Sequence, residues 1–580
     1  MLKKLIKNNK IESILEYFVS SAFFLFLFIT LIIIVSSIIF ICGGRIFKLL
    51  LLIIYILTTC GYLFIKSKNL KKGIISVIIA TLVFAISTFI SGYIYDGTPD
   101  GNTYHKLAVG AMKNGWNPVY VDIKDFNRDK GNPFDILKDN INVKWVNTYA
   151  KGSEIYGAVI YSFTDNIESG KSFNILFVFI GLFIAYKILR QLKLNTWKSI
   201  LLSILMALNP ISLTQLTNYY LDGVLSICLF MIILIIMNRE KLKEKVYYLI
   251  LALLIIWCCS VKFTGLAFAG VFCGMFYLYN IVYLFIKDKK EIKNYLIKET
   301  IFYVVVVVIS VLIVGSSSYT KNFIEHGHPF YPLYGKGHVE NMVLMEMPNS
   351  MQNDNKLMIF IKGIFSKSEN SSPSYSTSND QPDWKIPFTL TRTELYNFIT
   401  PDIRIGGFGY FFGGIFILSV IGTIIYIIKF IKQKQYEDLA KNILFLLIAS
   451  ILILALDGSY WARYIPYVYM FPILTIYNLF RVKIDNRVFK IYPLIICIFM
   501  ILNSALIIYV QIDFVHKHNL SFLRQNINDF NYYAKHNKEV EICLDHHGIQ
   551  GVQYNLDDMK IDNYKIVEDK KDNIGYGFTY

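Results

Sequence analysis

Residues 21–41, SAFFLFLFITLIIIVSSIIFI, contain no charged side chain. A helix of about 20 residues crosses the hydrocarbon core of a bilayer, so this run reads as a spanning helix. Similar runs recur along the 580 residues. They account for the composition, which is 54% apolar, 16% aromatic and only 17% charged, with a mean hydropathy of +0.45. Soluble domains average about 25% charged residues, and soluble cores divide beyond about 250–300 residues. Length alone would suggest about four soluble domains, but the placement of the apolar residues decides against them. A soluble enzyme, a fibrous protein and a disordered chain are excluded. The expected fold is an all-α polytopic membrane protein.

The pattern predicts thirteen spans, near 18–42, 46–65, 73–95, 171–189, 197–215, 219–238, 246–260, 263–286, 301–316, 410–429, 441–457, 463–480 and 491–510. The formal charge of +16 is distributed unevenly among their connections. The N-terminus and alternate short connections carry clusters such as Lys66, Lys68, Lys71 and Lys72, or Arg239, Lys241, Lys243 and Lys245. Together these hold 29 of the 58 basic residues. Short connections on the other side carry Arg45, Lys262, Arg463 and little else. Basic loops stay in the cytoplasm, so the N-terminus is expected there and the C-terminal tail outside. The charge is a topology signal. No basic stripe with interleaved aromatics points to nucleic acid.

The first span is too long for a signal-peptide core and no small-residue cleavage site follows it, so it reads as a retained anchor. Three segments expected outside are large: 96–170, 317–409 and 511–580. The expected organisation is a two-span N-terminal addition (1–72), a transmembrane core with two outer loops (73–510) and a small mixed α/β tail (511–580). All nine histidines fall in the outside segments. Seven of eight cysteines fall in or at spans, and no CxxC pattern or disulfide framework exists. Few ionisable residues lie deep in a span, where ion paths usually place them. Polar chemistry therefore gathers on the outer face, which favours an enzyme or binding surface over a carrier. Segment 366–384, rich in Ser, Asn and Pro, reads as a surface loop or a flap.

The first outer loop opens with turn chemistry at Pro99-Asp100-Gly101-Asn102. From Thr103, the positions Tyr104, Leu107, Ala108, Ala111 and Met112 share one helical face, and Asn114-Gly115 ends the helix. This predicts an amphipathic helix suited to the membrane surface. Asp100 stands just before it, at the water–lipid boundary, and Asp96 competes for the same role. Other candidates are Asp222, at the start of a span, and Lys262 and Arg463, at outer span ends. Each has a plainer reading. Asp100 suits a turn, Asp222 complements a helix dipole, and the two cations suit snorkelling to headgroups. His326, His328 and His338 are loosely spaced for a metal and read more simply as solvated loop residues, as does Asp545-His546-His547. Trp116, Trp384 and Trp461 suit the interface or a sugar-stacking role.

These segments resemble the GT-C-type glycosyltransferases, in particular the bacterial branch related to the aminoarabinose transferase and the protein O-mannosyltransferases. The Asp100 loop with Tyr104 resembles the family's catalytic loop. LNPISLTQLTNYYLD (208–222), KFTG (262–265), HGHPFYPLY (326–334) and WARY (461–464) resemble further motifs in the family's order. His328 stands where the family usually has Asn, and the first two spans are additional.

The resemblance implies inverting transfer of a sugar from a polyprenyl-phosphate donor to an envelope glycan, lipid or protein acceptor, outside the bacterial plasma membrane. Inversion needs one general base, for which Asp100 is the candidate. Cations or a divalent metal would stabilise the leaving phosphate, so Arg463 and Lys262 become candidate phosphate ligands. Asp222 would order the site or bind a metal, and Tyr104, His105 and His328 complete the outer-loop candidates. A lipid-linked glycan polymerase or ligase, a transporter or flippase, and an envelope scaffold are the alternative readings.

Overall fold

The computed structural model describes residues 9–126, 141–287, 289–339, 342–369, 382–483, 487–517 and 551–561. It also describes 528, 532, 535–536, 540–543 and 564–567. Residues 521–527, 545–547 and 370–381, on which part of the expected mixed α/β tail, the Asp-His-His triplet and much of the Ser-rich loop fall, lie outside the described residues.

The described chain is helical at all thirteen expected positions. The helices used below are α1 (Asn9–Ile41), α2 (Leu50–Ile65), α3 (Leu70–Tyr93), α4 (Lys106–Lys113), α5 (Gly152–Thr164), α6 (Phe173–Gln191), α7 (Thr196–Ala207), α8 (Asp222–Met237), α9 (Glu244–Val261) and α10 (Phe263–Lys287). They continue as α11 (Lys289–Val307), α12 (Phe412–Lys432), α13 (Tyr436–Ala455), α14 (Met470–Arg481), α15 (Arg487–Phe514) and α16 (Val552–Asp558). Among the described residues, nine helical segments are long and apolar enough to cross a membrane, and α2, α7 and α8 are shorter apolar helices. The position expected at 463–480 is divided. Short 3-10 turns at Ala462–Tyr464 and Pro466–Tyr469 lead into the twelve residues of α14. Pro466 has no N–H to continue a helix from before it, so Arg463 sits in a turn rather than on a span.

Local chemistry explains these helices. Buried hydroxyls inside them return to the carbonyl one turn back, as Thr30 to Phe26 (2.6 Å), Ser37 to Ile33 (2.7 Å) and Thr58 to Ile54 (2.7 Å), which satisfies these groups within their own helices in an apolar setting. Asn69, Asn195 and Asn209 cap helix starts with their side chains. α1 lies inside the bundle against α3, α5, α6 and α9, and Trp257 Nε1 on α9 donates to Thr30 Oγ1 at 2.9 Å. α8 is buried along its whole length. The outer faces of α2, α3, α10, α11, α12, α13 and α15 instead expose Leu, Ile, Val and Phe, a band suited to lipid. The architecture is that of an all-α multi-pass membrane protein, with one parallel pair of short strands among the described residues, Val540–Cys543 and Tyr564–Val567, in the tail.

The large connections meet at one end of the bundle. There α4 does not lie open on a surface as its amphipathic pattern suggests. Leu107 to Met112 are all buried, because α5 packs on one side and α16 closes the other. Gly551 N donates to Asn102 O at 2.8 Å, and the Tyr554 ring lies so close to Gly110 that a Cβ there would overlap it. Tyr161 Oη donates to Asp558 Oδ1 at 2.6 Å and Ile167 N to Oδ2 at 2.8 Å.

Candidate functional site

Asp96 and Asp100 follow α3 closely, yet their side chains point into different surroundings. Asp96 Oδ1 accepts from Thr98 N (2.8 Å) and Oγ1 (2.6 Å), and Oδ2 accepts from Tyr219 N (2.7 Å). A Cβ at Gly101 would overlap this carboxylate, so the turn needs glycine. Behind it Lys106 Nζ meets Glu168 Oε1 at 2.5 Å and Asn555 Oδ1 at 3.1 Å, while Lys171 pairs with the same glutamate. Burial pushes the Asp96 carboxyl up, against the pull of Lys106. Asp96 is a buried acid with both oxygens taken up by hydrogen bonds from the protein itself.

Asp100 makes no capping bond at its helix start. Its Oδ2 lies 3.4 Å from Arg463 Nη1, with 28% of the side chain exposed. The same guanidinium reaches two further acids. Nη2 is 3.3 Å from Asp402 Oδ1, and Nη1 is 3.9 Å from Asp222 Oδ2. Lys262 Nζ contacts Asp222 Oδ1 at 2.5 Å. Asp222 stands at the start of α8. Lys262 stands in the extended break between α9 and α10, which closes because Gly265 has no Cβ to strike the Cys258 carbonyl. Five segments far apart in sequence, carrying Asp100, Asp222, Lys262, Asp402 and Arg463, therefore meet around one cationic pair.

Aromatic rings frame that pair. The Arg463 guanidinium lies 4.4 Å from the Trp461 ring centroid, 5.1 Å from Tyr220 and 5.3 Å from Tyr464, and Lys262 Nζ is 4.5 Å from Tyr464. Behind Trp461, Arg404 pairs with Glu346 at 2.7 Å and reaches Asp402 at 3.5 Å. Burial pushes the Asp402 carboxyl up, with the Asp100 charge adding to it and Arg463 opposing it. Burial also holds the Tyr104 phenol far above its ordinary value, with Asp100 nearby adding to the rise. Arg463 Nε and Trp461 Nε1 are buried and meet no hydrogen-bond partner among the described residues. Buried donors are rarely left so, and these two offer themselves to a ligand.

Asp100, Asp222, Lys262, Arg463 and Tyr104 thus gather at one place. His105 does not join them, since its Nδ1 faces Glu154 Oε1 at 2.6 Å. His328 is held in its own loop, where Nδ1 accepts from Phe330 N at 3.1 Å. His326 stacks on Tyr331. Trp116 is buried and donates to Val121 O, Trp384 is exposed, and only Trp461 reaches the cluster.

The donor set does not fit a metal ion. The Asp222 oxygens face Lys262 and Gln215, and among the described residues no three His, Cys, Asp or Glu side chains are placed to hold a metal ion. Asp402 and Arg404 belong to the cluster but are not among the residues expected from the sequence. One signal was available, because Thr-Pro-Asp occurs at 98–100 and again at 400–402, and both aspartates meet Arg463. Comparison of the chain with models of known protein families and with curated proteins returns no match.

Proposed function

We propose that this chain is an inverting glycosyltransferase of GT-C type, moving a sugar from a polyprenyl-phosphate donor to an envelope acceptor. In this reading all thirteen helical positions cross the bacterial plasma membrane. The loop-bearing end faces outward, because 29 of the 58 basic residues lie toward the other end. The observation that carries the reading is the convergence of Asp100, Asp222, Lys262 and Arg463 on one partly open site.

Each residue then has a defined task. Asp100 is the most exposed acid of the three around Arg463, at 28% against 20% for Asp402 and 3% for Asp222. It takes the proton from the acceptor hydroxyl as that oxygen attacks the anomeric carbon. The bond from that carbon to the phosphate oxygen breaks, and its electron pair stays on the phosphate. Arg463 and Lys262 meet the growing negative charge with oriented N–H groups in a buried setting, where such contacts act strongly. Asp222 holds Lys262 in place. The aromatic frame keeps water from the cations and offers faces to a sugar ring.

The test uses the full chain in vesicles with polyprenyl-phosphate sugars and a membrane glycan extract, following sugar loss from the lipid by mass spectrometry. Asp100→Asn should lower transfer by about 10²–10⁴-fold with insertion and melting unchanged. Full activity in that variant removes the base. Glycan polymerisation or ligation that survives Asp100→Asn would favour a polymerase or ligase, and lipid translocation without transfer would favour a flippase.

A further inference from the structure

The structure holds a cavity apart from the Arg463 cluster, and none of its walls belongs to that cluster. It has a volume of about 720 Å³ and lies between α1, α2, α3 and α5. Pockets of about 300–1,000 Å³ bury most of a small ligand's surface. Phe28, Leu52, Tyr55, Phe84, Phe89 and Phe163 make the wall predominantly apolar. On α3 the lining runs from Thr81 to Tyr93, and on α2 from Leu51 to Tyr55. These stretches are the halves nearest the loop-bearing end.

Three features say what occupies it. First, it opens sideways. Leu52, Phe89, Tyr93 and Phe163 line it and are 45%, 72%, 46% and 46% exposed, so the mouth meets the apolar band and not the loops. Second, Thr88 Oγ1 is buried on its wall and meets no hydrogen-bond partner among the described residues. Third, the loop-side rim is cationic. Thr164 and Asn166 line the cavity on either side of Asp165, and Lys48 and Lys113 reach Asp165 at 2.7 and 3.5 Å. Arg45 adds a third positive charge near Gly115. Three cations against two carboxylates, Asp165 and the Asp558 that also faces Lys113, leave this rim positive beside a hydrocarbon-sized cleft.

We propose that this cleft is a binding site for an anionic glycerophospholipid of the leaflet bordering the loop-bearing end. One acyl chain lies between α2 and α3, the ester region meets Thr88, and the phosphate lies on Lys48 and Lys113. Cations near a bilayer surface draw anionic headgroups at short range, and the apolar wall supplies the chain contact. The α1–α2 hairpin thereby becomes a lipid-holding element of the molecule, independent of any transfer chemistry at Asp100.

The experiment takes the full chain in nanodiscs containing equal phosphatidylglycerol and phosphatidylcholine, releases it into mild detergent, and counts retained lipid by native mass spectrometry. Retention of phosphatidylglycerol over phosphatidylcholine by about fivefold or more is expected. Ala85→Trp fills the cleft from an exposed position and should remove the retained lipid. Leu52→Trp, on the facing wall, does the same if the first variant does not insert. Lys48→Ala with Lys113→Ala should erase the headgroup preference while chain retention persists. Equal retention of both lipids by the unaltered chain overturns the proposal, as does retention unchanged by either filled variant. Displacement of phosphatidylglycerol by equimolar polyprenyl phosphate would overturn it in favour of an isoprenoid occupant.

Discussion

Around Asp96 every charge is closed in, and around Asp100 several are left reaching outward. The charged groups of the Asp96 cluster are all paired. Glu168 serves Lys106, Lys171, Asn555 and the Asp96 backbone N–H at once, and the neighbouring side chains are nearly all buried. The Asp100 cluster has longer contacts, of 3.3 to 3.9 Å around one guanidinium, and leaves the donors Arg463 Nε and Trp461 Nε1 bare. Saturated buried networks hold a fold in one arrangement. Loose ones with spare donors are what a ligand can complete. Two acids four positions apart thus have opposite uses, and the difference lies in what other elements bring to each.

Substitutions at matched positions should separate the two clusters. The largest pair of effects sets Asp100→Asn against Glu168→Gln. The first is expected to reduce transfer by about 10²–10⁴-fold without moving the melting temperature. The second leaves Lys106 and Lys171 buried without their carboxylate and should cost about 3–5 kcal/mol of stability, read from denaturant or thermal unfolding in detergent. If Glu168→Gln melted normally, or Asp100→Asn melted early, the division between the two clusters would fail.

Arg463→Lys comes next. It keeps the charge but loses the fork that reaches Asp100 and Asp402 together, and a lysine cannot stack on Trp461 as a guanidinium does. Charge-assisted hydrogen bonds contribute about 1.5–3 kcal/mol, so donor KM should rise by roughly 10–100-fold, measured by titrating the lipid donor. A smaller effect of opposite sign is expected at Asp402, which occupies Arg463 where a phosphate would otherwise sit. Asp402→Asn should lower donor KM by up to about fivefold, the scale of one partly exposed ion pair. A fall in kcat with KM unchanged would instead make Asp402 part of the chemistry.

Much of this arrangement was legible in the chain and some was not. Hydropathy placed the helices because a bilayer leaves an apolar run few other structures. Asp100, Asp222, Lys262 and Arg463 were legible because each interrupts or borders a long apolar run, where a charge has few uses. Asp402 and Arg404 lie in the loop between α11 and α12, where no periodicity marks a charged residue as buried; beyond the repeated Thr-Pro-Asp at 400–402, it is the contacts of Asp402 with Arg463 and Arg404 that show their place. The burial of α4 was not legible either. Its pattern is that of a surface helix, and its cover, α16, arrives from more than 400 positions further on. His105 reads as a site residue until Glu154, on α5, is seen to claim its ring.

A last effect concerns that cover, moves exchange and not transfer, and tests whether the closed side responds to pH. Burial pushes the Asp558 carboxyl up from its ordinary 3.8 to about 6, with nearby Glu168 adding a little and Tyr161, Ile167 and Lys113 opposing. The folded state therefore holds this proton more tightly than the free tail does. Its contribution to docking is complete below the ordinary value and is lost as pH rises through about 6. α16 should be more firmly docked at pH 5 than at pH 7.5, by about tenfold in amide-exchange protection of residues 552–558, since one pKa unit corresponds to about a tenfold change in an equilibrium. Asp558→Asn cannot ionise, keeps a carbonyl oxygen for Ile167 N and turns its amide N–H to the Tyr161 hydroxyl, so it should flatten that dependence and hold α16 down at both values. Because Gly551 bonds to Asn102, directly beside the turn that carries Asp100, the same titration reaches the open cluster only through the backbone of that turn. The exchange difference should therefore be clear at α16 and faint at residues 99–103. Equal changes in both segments would show that the two clusters move as one unit.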